Sequence, residues 1–441
     1  MTVKVIGAGL AGCEAAMQLA NRGFAVELYE MKPKKFSPAH KYDGFAELVC
    51  SNSLKSARVD SACGLLKAEM RLFGSVICEA ADKTAVPAGG ALAVNRKEFS
   101  DEVTRIVKSH PNITVISEEV IEFPEENAII CTGPLTSDAL ADKIREKCGE
   151  YLSFYDAAAP IVTAESVDFS VAFYQSRYEK DGADYVNCPM NKDEYDAFYN
   201  ALINAESAPL HEFDRPEESA GLKVYEGCMP VEVLAKRGYD SVRYGCMKPV
   251  GLTDPRTGNR PYAAVQLRKE DKEGTLFNLV GFQTNLKFGE QKRIFSMIPG
   301  LENAEFARYG VMHRNTFLNS PKVLDAHFML KGSKNIFFGG QITGVEGYVE
   351  SAASGIMAGR ALADILSGKE PILLPKTTMM GALADYTSNC YSPNFQPMGS
   401  NMGILPPIDG QFRGKDGKQR KYAALAERSL NDLKKILCDN I

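Results

Sequence analysis

Tryptophan is absent from this 441-residue chain, and histidine occurs only five times at wide spacing. That spacing gives no zinc-ligand pattern, so no metal is expected. The eleven cysteines include no C-x-x-C pair. In a long chain without a leader they read as reduced thiols rather than a disulfide framework. No apolar run approaches the length needed to cross a bilayer, which excludes a membrane-spanning helix. Met1 leads almost directly into the strand-like "VKVI", with no basic segment or cleavage site before it, and a cytoplasmic protein is expected. No internal repeat or low-complexity tract is present.

A surplus of positive charge is also missing. The formal net charge is -5, which argues against a generic nucleic-acid binder. The distribution is uneven, however. Glu165 to Glu218 holds thirteen acids against four bases, and Lys223 to Lys269 holds nine bases against four acids. The tail from Arg413 to Lys435 has eight bases and three acids. Such stretches are ordinary solvated surface unless the fold gathers them on one face.

The N-terminus carries the strongest signal. A β-branched strand ends in Gly7-Ala8-Gly9-Leu10-Ala11-Gly12, a small-residue helix follows, and a second strand ends at Glu30. Gly7 permits the tight turn, Gly9 lets a pyrophosphate approach the backbone, and Gly12 lets helix and strand pack closely. The helix N-terminus offers free N–H groups to phosphates, and Glu30, 18 residues past Gly12, can accept from ribose hydroxyls. Two later segments point to FAD rather than NAD as the resident nucleotide. "NAIICTGP" is a buried strand ending at Thr132-Gly133, and "NIFFGGQITGVEGYVESAASG" is a strand, a Gly-rich turn with Gln341 and Gly344, and a long helix starting near Tyr348. Both resemble elements of two-dinucleotide-binding-type flavoproteins, many of which carry an acid where this turn has Gln341. With a single fingerprint in the chain, NAD(P)H would dock only transiently.

The expected fold is therefore α/β: a Rossmann-like FAD-binding domain of the two-dinucleotide-binding type with an inserted α+β domain. The FAD-binding part is read as residues 1–151 and 299–441, the second part ending in an amphipathic helix over Tyr422 to Leu437. The insertion is read as residues 152–298, with a hairpin turning at Pro255-Arg256-Thr257-Gly258.

Cys50 in "AELVCSNSLKS" and Cys228 in "YEGCMPVE" differ from the other cysteines in their neighbours. Each lies among small polar residues or glycine, near Lys55 or Lys223. Positive charge favours the thiolate, which is the nucleophile. With "VPAGGALAVNR", "YDAAAPIV", "MKPVGL", "RPYAAVQLR", "GFQTNLKFGEQ" and "YGVMHRNTFLNSP", these segments resemble the folate- and FAD-dependent tRNA (uracil-5-)-methyltransferases across almost the whole chain.

The resemblance implies that NAD(P)H reduces FAD and that 5,10-methylenetetrahydrofolate donates a one-carbon unit to C5 of the T-loop uridine in the tRNA T-arm. The family's paired cysteines map onto Cys50 and Cys228. One thiolate would add to C6 of the uracil and the other handle the C5 proton, with Cys228 the expected nucleophile and Cys50 the expected base or alternative covalent partner; the residues themselves leave the order open. Tyr348 and Phe288 are the expected stacking partners for flavin and folate. The position of Phe288 is often tryptophan in the family. His313 and Arg314 are expected at the flavin or folate. Lys287, Arg256, Arg260 and Arg268 are candidate phosphate contacts. The target base would be extruded toward the flavin. The same chemistry on a uridine of 23S ribosomal RNA, and a flavin oxidoreductase without RNA, stand as alternatives. Monomer and homodimer both remain open.

Overall fold

The computed structural model describes residues 2–149, 152–157, 159–177, 184–208, 229–270, 274–310, 312–390, 395–414 and 416–439. Side chains within 152–157 and 312–315 lie outside that description, and so does Cys228.

The β-branched run at the N-terminus forms the strand Thr2–Ile6, the centre of a five-stranded parallel sheet. Across the sheet the strands run Lys334–Phe338, Glu126–Ile130, Thr2–Ile6, Ala25–Tyr29 and Ile113–Ile116. Ile6 pairs in register with Tyr29 on one side and Ile130 on the other, so the fingerprint turn, Glu30 and Thr132 all leave the same carboxyl edge. That edge is where ligands bind in open parallel sheets.

Two helices pack closely against this sheet, Leu10–Ala20 from the fingerprint and Tyr348–Leu366 from the second half of the chain. Small residues make the approach possible. A Cβ on Gly355 would lie 2.1 Å from the Ala11 carbonyl oxygen, and one on Gly359 would lie 2.8 Å from that of Ala15. Gly12 is equally constrained, because its Cβ would sit 1.8 Å from the Gly7 carbonyl oxygen. Beside the parallel sheet lies a small antiparallel one made of Ser53–Ser56, Ala91–Val94 and Ala85–Val86. Its register shifts between Ser53 and Ser56, and Lys55 takes a left-handed φ of 61° there.

A second core surrounds a six-stranded sheet in the order Phe173–Tyr174, Tyr185–Met190, Ala263–Lys269, Leu276–Leu279, Ile161–Thr163, Phe306–Arg308. Phe198, Phe277, Phe282 and Phe295 are fully buried within it. The antiparallel pair Leu152–Ala157 and Met312–Phe317 carries the chain from the first core to the second and back. The chain thus returns later than the sequence suggested, since Leu301, Ala304 and Phe306 still belong to the second core. The expected hairpin is only half formed. A tight turn exists, with Gly258 N–H donating to the Asp254 carbonyl at 2.8 Å. The segment before it is irregular, however, and Ala263–Lys269 pairs instead with Tyr185–Met190 and Leu276–Leu279. Pro249 and Pro255 lack the N–H that a strand ladder needs, and Gly251 between them takes a left-handed φ of 83°, so no strand forms there. The C-terminal helix spans Gly417–Asp439 and buries Leu425, Ala426 and Leu433. Among the described residues no helix is long and apolar enough to cross a membrane.

Two buried glutamates tie helices of the first core together. Glu14 accepts from Ile77 N at 3.1 Å and Val76 N at 3.3 Å, and the Ser75 hydroxyl donates to it as well. Glu69 accepts from Met379 N at 2.7 Å, Met380 N at 2.8 Å and the Ser429 hydroxyl at 2.5 Å. Each carboxyl occupies the N-terminus of another helix, where free N–H groups favour negative charge. Burial outweighs these bonds and pushes both carboxyls up to about 7. Between the ordinary carboxylate range and about pH 7 the folded protein keeps protons that the unfolded chain has released. Stability therefore falls as pH rises through that window. Glu69→Gln removes one of the two contributions, so its melting temperature should fall less between about pH 5 and pH 7 than that of the parent. Melting curves across that range check this; an unchanged slope would remove Glu69 from the account.

Candidate active site

A cleft of about 430 Å³ runs along the carboxyl edge of the parallel sheet. Ile6 to Ala11, Glu30, Thr132, Gly133, Gln341 and Tyr348 line it, together with Cys50. The fingerprint turn is held open from below: Gly7 has φ of 99°, and a Cβ there would meet the Cys131 carbonyl oxygen at 2.6 Å. Above Gly9 the space is empty to beyond 4 Å. The Glu30 carboxylate accepts from Ala8 N and Lys32 N, both at 3.0 Å, which fixes it at the mouth of the turn. An open face over Gly9, a helix N-terminus and a fixed acid together fit a dinucleotide.

Gly12 fits under Gly7, the close packing its spacing implied. Gly344 has φ of 83°, and a Cβ there would strike the Phe395 ring at 2.6 Å, so it faces a buried aromatic and not the cleft. Gln341 Nε2 donates to Glu346 Oε2 at 2.6 Å. An acid thus stands five residues beyond the position where the sequence suggested it was missing, and it lines the cleft as well. His40, also on the cleft wall, hydrogen-bonds Ser37 at 2.6 Å, and burial lowers its pKa.

Cys50 stands at the end of the cleft where the long helix begins. Its Sγ lies 2.8 Å from the Tyr348 hydroxyl, and its backbone N–H donates to the same oxygen at 2.7 Å. Burial pushes Cys13, Cys63, Cys78, Cys131 and Cys188 upward as thiols, which suits small packing residues. Cys50 and the buried Cys131 are the described cysteines on the cleft wall.

Three arginines converge on the Cys50 loop. Arg96 Nη1 donates to the Leu48 carbonyl at 3.2 Å, and Arg308 Nη2 donates to the Val49 carbonyl. Arg268 donates to Ser51 Oγ at 2.8 Å and Asn52 Oδ1 at 3.0 Å. Asn52 in turn donates to the Lys269 carbonyl at 2.9 Å. Glu270 balances the charge through an ion pair with Arg96 at 2.8 Å. Arg268, expected at an RNA phosphate, is only 7% exposed and spends its donors on the loop. Arg96 closes the quoted "VPAGGALAVNR", but Arg308 and Glu270 carry no local signal. They sit at strand ends of the second sheet, far along the chain.

The remaining candidates lie elsewhere. Phe288 is 55% exposed and stacks on Tyr309, with ring centroids 4.9 Å apart, outside the cleft wall. Arg256 is exposed and paired with Asp254 at 2.9 Å; Arg260 is exposed on the same turn. Lys287 pairs with Glu206 at 2.5 Å. His313 and Arg314 lie on the strand Met312–Phe317, opposite Asp156 and Tyr155.

The Arg96–Glu270 pair is mostly out of water, with side chains 18% and 5% exposed. Removing one partner of such a pair strands the other. Arg96→Ala should therefore cost about 3 kcal/mol in denaturant unfolding, and adding Glu270→Gln should restore part of it. Equal stability of the single and double variants would show that the pair is not coupled.

Comparison with known proteins agrees with this arrangement. Residues 2–370 match the family model described as Glucose inhibited division protein A. A relative from Acetivibrio thermocellus is 57% identical over 437 residues, covering 99% of this chain and 98% of its own length. One from Listeria monocytogenes is 55% identical over 436 residues, with 99% and 98% covered. Both bear the name methylenetetrahydrofolate--tRNA-(uracil-5-)-methyltransferase TrmFO. Among solved structures, Aquifex aeolicus GidA in its form II crystal superposes with a TM-score of 0.69 at 17% identity, covering 99% of this chain and 75% of that one. The form I crystal gives 0.69 as well, over 98% and 78%. The fold is thus that of GidA, and at this identity to its curated relatives the chain belongs to the TrmFO family.

Proposed function

We propose that the chain is a methylenetetrahydrofolate–tRNA-(uracil-5-)-methyltransferase that forms 5-methyluridine at the T-loop uridine of tRNA. The observation that carries this reading is the position of Cys50. It is a thiol at the end of a dinucleotide cleft, on a loop gathered by three arginines. The relatives' shared name supplies the substrate class.

The chain's own groups divide the work. Gly7 to Ala11 and the helix behind them receive the pyrophosphate of FAD, and Glu30 a ribose. The N-terminus of Tyr348–Leu366 supplies a positive dipole end at the cleft wall. Bound FAD, reduced by NAD(P)H, supplies the electrons that bring the carbon of 5,10-methylenetetrahydrofolate to the methyl level. The two cysteines activate the uracil. Cys228 adds as thiolate to C6, which moves an electron pair to C5 and makes that carbon nucleophilic. Cys50 takes the C5 proton once the new carbon bond has formed, and loss of the Cys228 sulfur restores the ring. The uridine reaches the site extruded from its stack, and the RNA is selected through its shape and backbone. This work belongs in the cytoplasm.

The test incubates FAD-loaded protein with unmodified tRNA, methylenetetrahydrofolate and NADPH, then follows 5-methyluridine by mass spectrometry. Product should appear at the T-loop uridine. It should fall to background in Cys50→Ala and in Cys228→Ala while bound FAD is retained. Product on a ribosomal RNA fragment alone, or on neither RNA, would overturn the reading.

A further inference from the structure

The Tyr348 hydroxyl has three polar neighbours and a single proton. Cys50 N–H and Ser51 N–H point at its oxygen, at 2.7 and 3.3 Å. Both are obligate donors, so the oxygen accepts from each. The remaining neighbour is Cys50 Sγ at 2.8 Å, the acceptor within reach of the hydroxyl proton among the described residues. A sulfur that receives this proton as a hydrogen bond is best satisfied as an anion, because charge-assisted bonds are roughly twice as strong as neutral ones. We propose that Tyr348 donates its hydroxyl proton to Cys50 Sγ and, together with Arg308, holds that sulfur as a thiolate in the resting protein.

The charged groups around the Cys50 loop favour this arrangement. Arg308 approaches from the strand Phe306–Arg308 and is fixed by its bond to the neighbouring Val49 carbonyl. Arg96 comes from the start of the helix Arg96–Ser109 and holds the Leu48 carbonyl. Glu270 is the opposing acid, and its carboxylate is already engaged by Arg96. Tyr348 itself stays protonated and able to donate, since burial raises its pKa well above the ordinary tyrosine value. Cys50 also sits against the first residue of a 19-residue helix, whose dipole end adds to the positive field. Tyr348 is therefore a positioning residue acting through Cys50: its hydroxyl serves the thiol, whatever its ring does for a bound cofactor. The inference deepens the proposed methyltransferase reading, in which Cys50 takes a proton, but it concerns the sulfur alone.

The experiment reads that sulfur directly. FAD-loaded protein is alkylated with iodoacetamide across a pH series, and modification of the Cys50 peptide is timed by mass spectrometry. Tyr348→Phe should move the midpoint of the rate profile up by about one pH unit, making alkylation about tenfold slower on the acid side. Its melting temperature confirms that the protein is folded. Arg308→Gln should move the midpoint in the same direction, and it carries the test if Tyr348→Phe does not fold. Midpoints equal to the parent's in the folded variants would overturn the proposal. A shifted midpoint in a protein that methylates no RNA would leave the proposal standing and sink the methyltransferase reading, so the two fail separately.

Discussion

Charged side chains that leave water must find partners, and around residues 48–52 this requirement organises the protein. Arg96 and Arg268 come from opposite cores, and Arg308 from the last strand of the second sheet. None of the three can be left unpaired without a cost of several kcal/mol. They find Leu48 and Val49 carbonyls, Ser51 and Asn52 side chains, and Glu270. The Cys50 loop is consequently pinned from several directions at once, and Tyr348 fastens it to the long helix. A thiol on a free loop would sample many positions. Here both its place and its electrostatic surroundings are set by groups that had to be satisfied anyway.

The parallel sheet explains why that loop meets a nucleotide cleft. Its in-register pairing of Ile6 with Tyr29 and Ile130 brings three chain segments to one edge. Ala46 N–H then donates to the Ala8 carbonyl at 2.9 Å, tying the segment that leads to Cys50 directly to the phosphate turn. Close helix contact through Ala11, Ala15, Gly355 and Gly359 places the N-terminus of the long helix over the same edge. Cofactor cleft, helix dipole and thiol thus share one frame built from small residues, in which any added Cβ would push the parts apart.

Holding this frame has an energetic consequence. Glu14 and Glu69 satisfy helix N-termini deep in the first core, but burial makes their charged forms unfavourable. The same capping that orders the helices makes their packing sensitive to pH.

The sequence by itself determined the elements with strong local signals. The glycine fingerprint, Glu30, the strand Glu126–Ile130 and the long helix from Tyr348 follow from turn chemistry, hydrophobic runs and small-residue spacing, which act over a few residues. Cys50, beside Lys55 and small polar residues, stood out with Cys228 through the family resemblance. What surrounds it was decided only by tertiary structure. Arg308 and Glu270 lie more than two hundred residues away, Glu346 reaches Gln341 across a turn, and Arg268 proved to be a buried clamp. The segment before Ala263 formed no strand because of its own prolines, and Ala263–Lys269 took the distant Tyr185–Met190 as partner instead. Local propensity fixes which segments can form an element; which charges meet is settled only when two separate cores close on one loop.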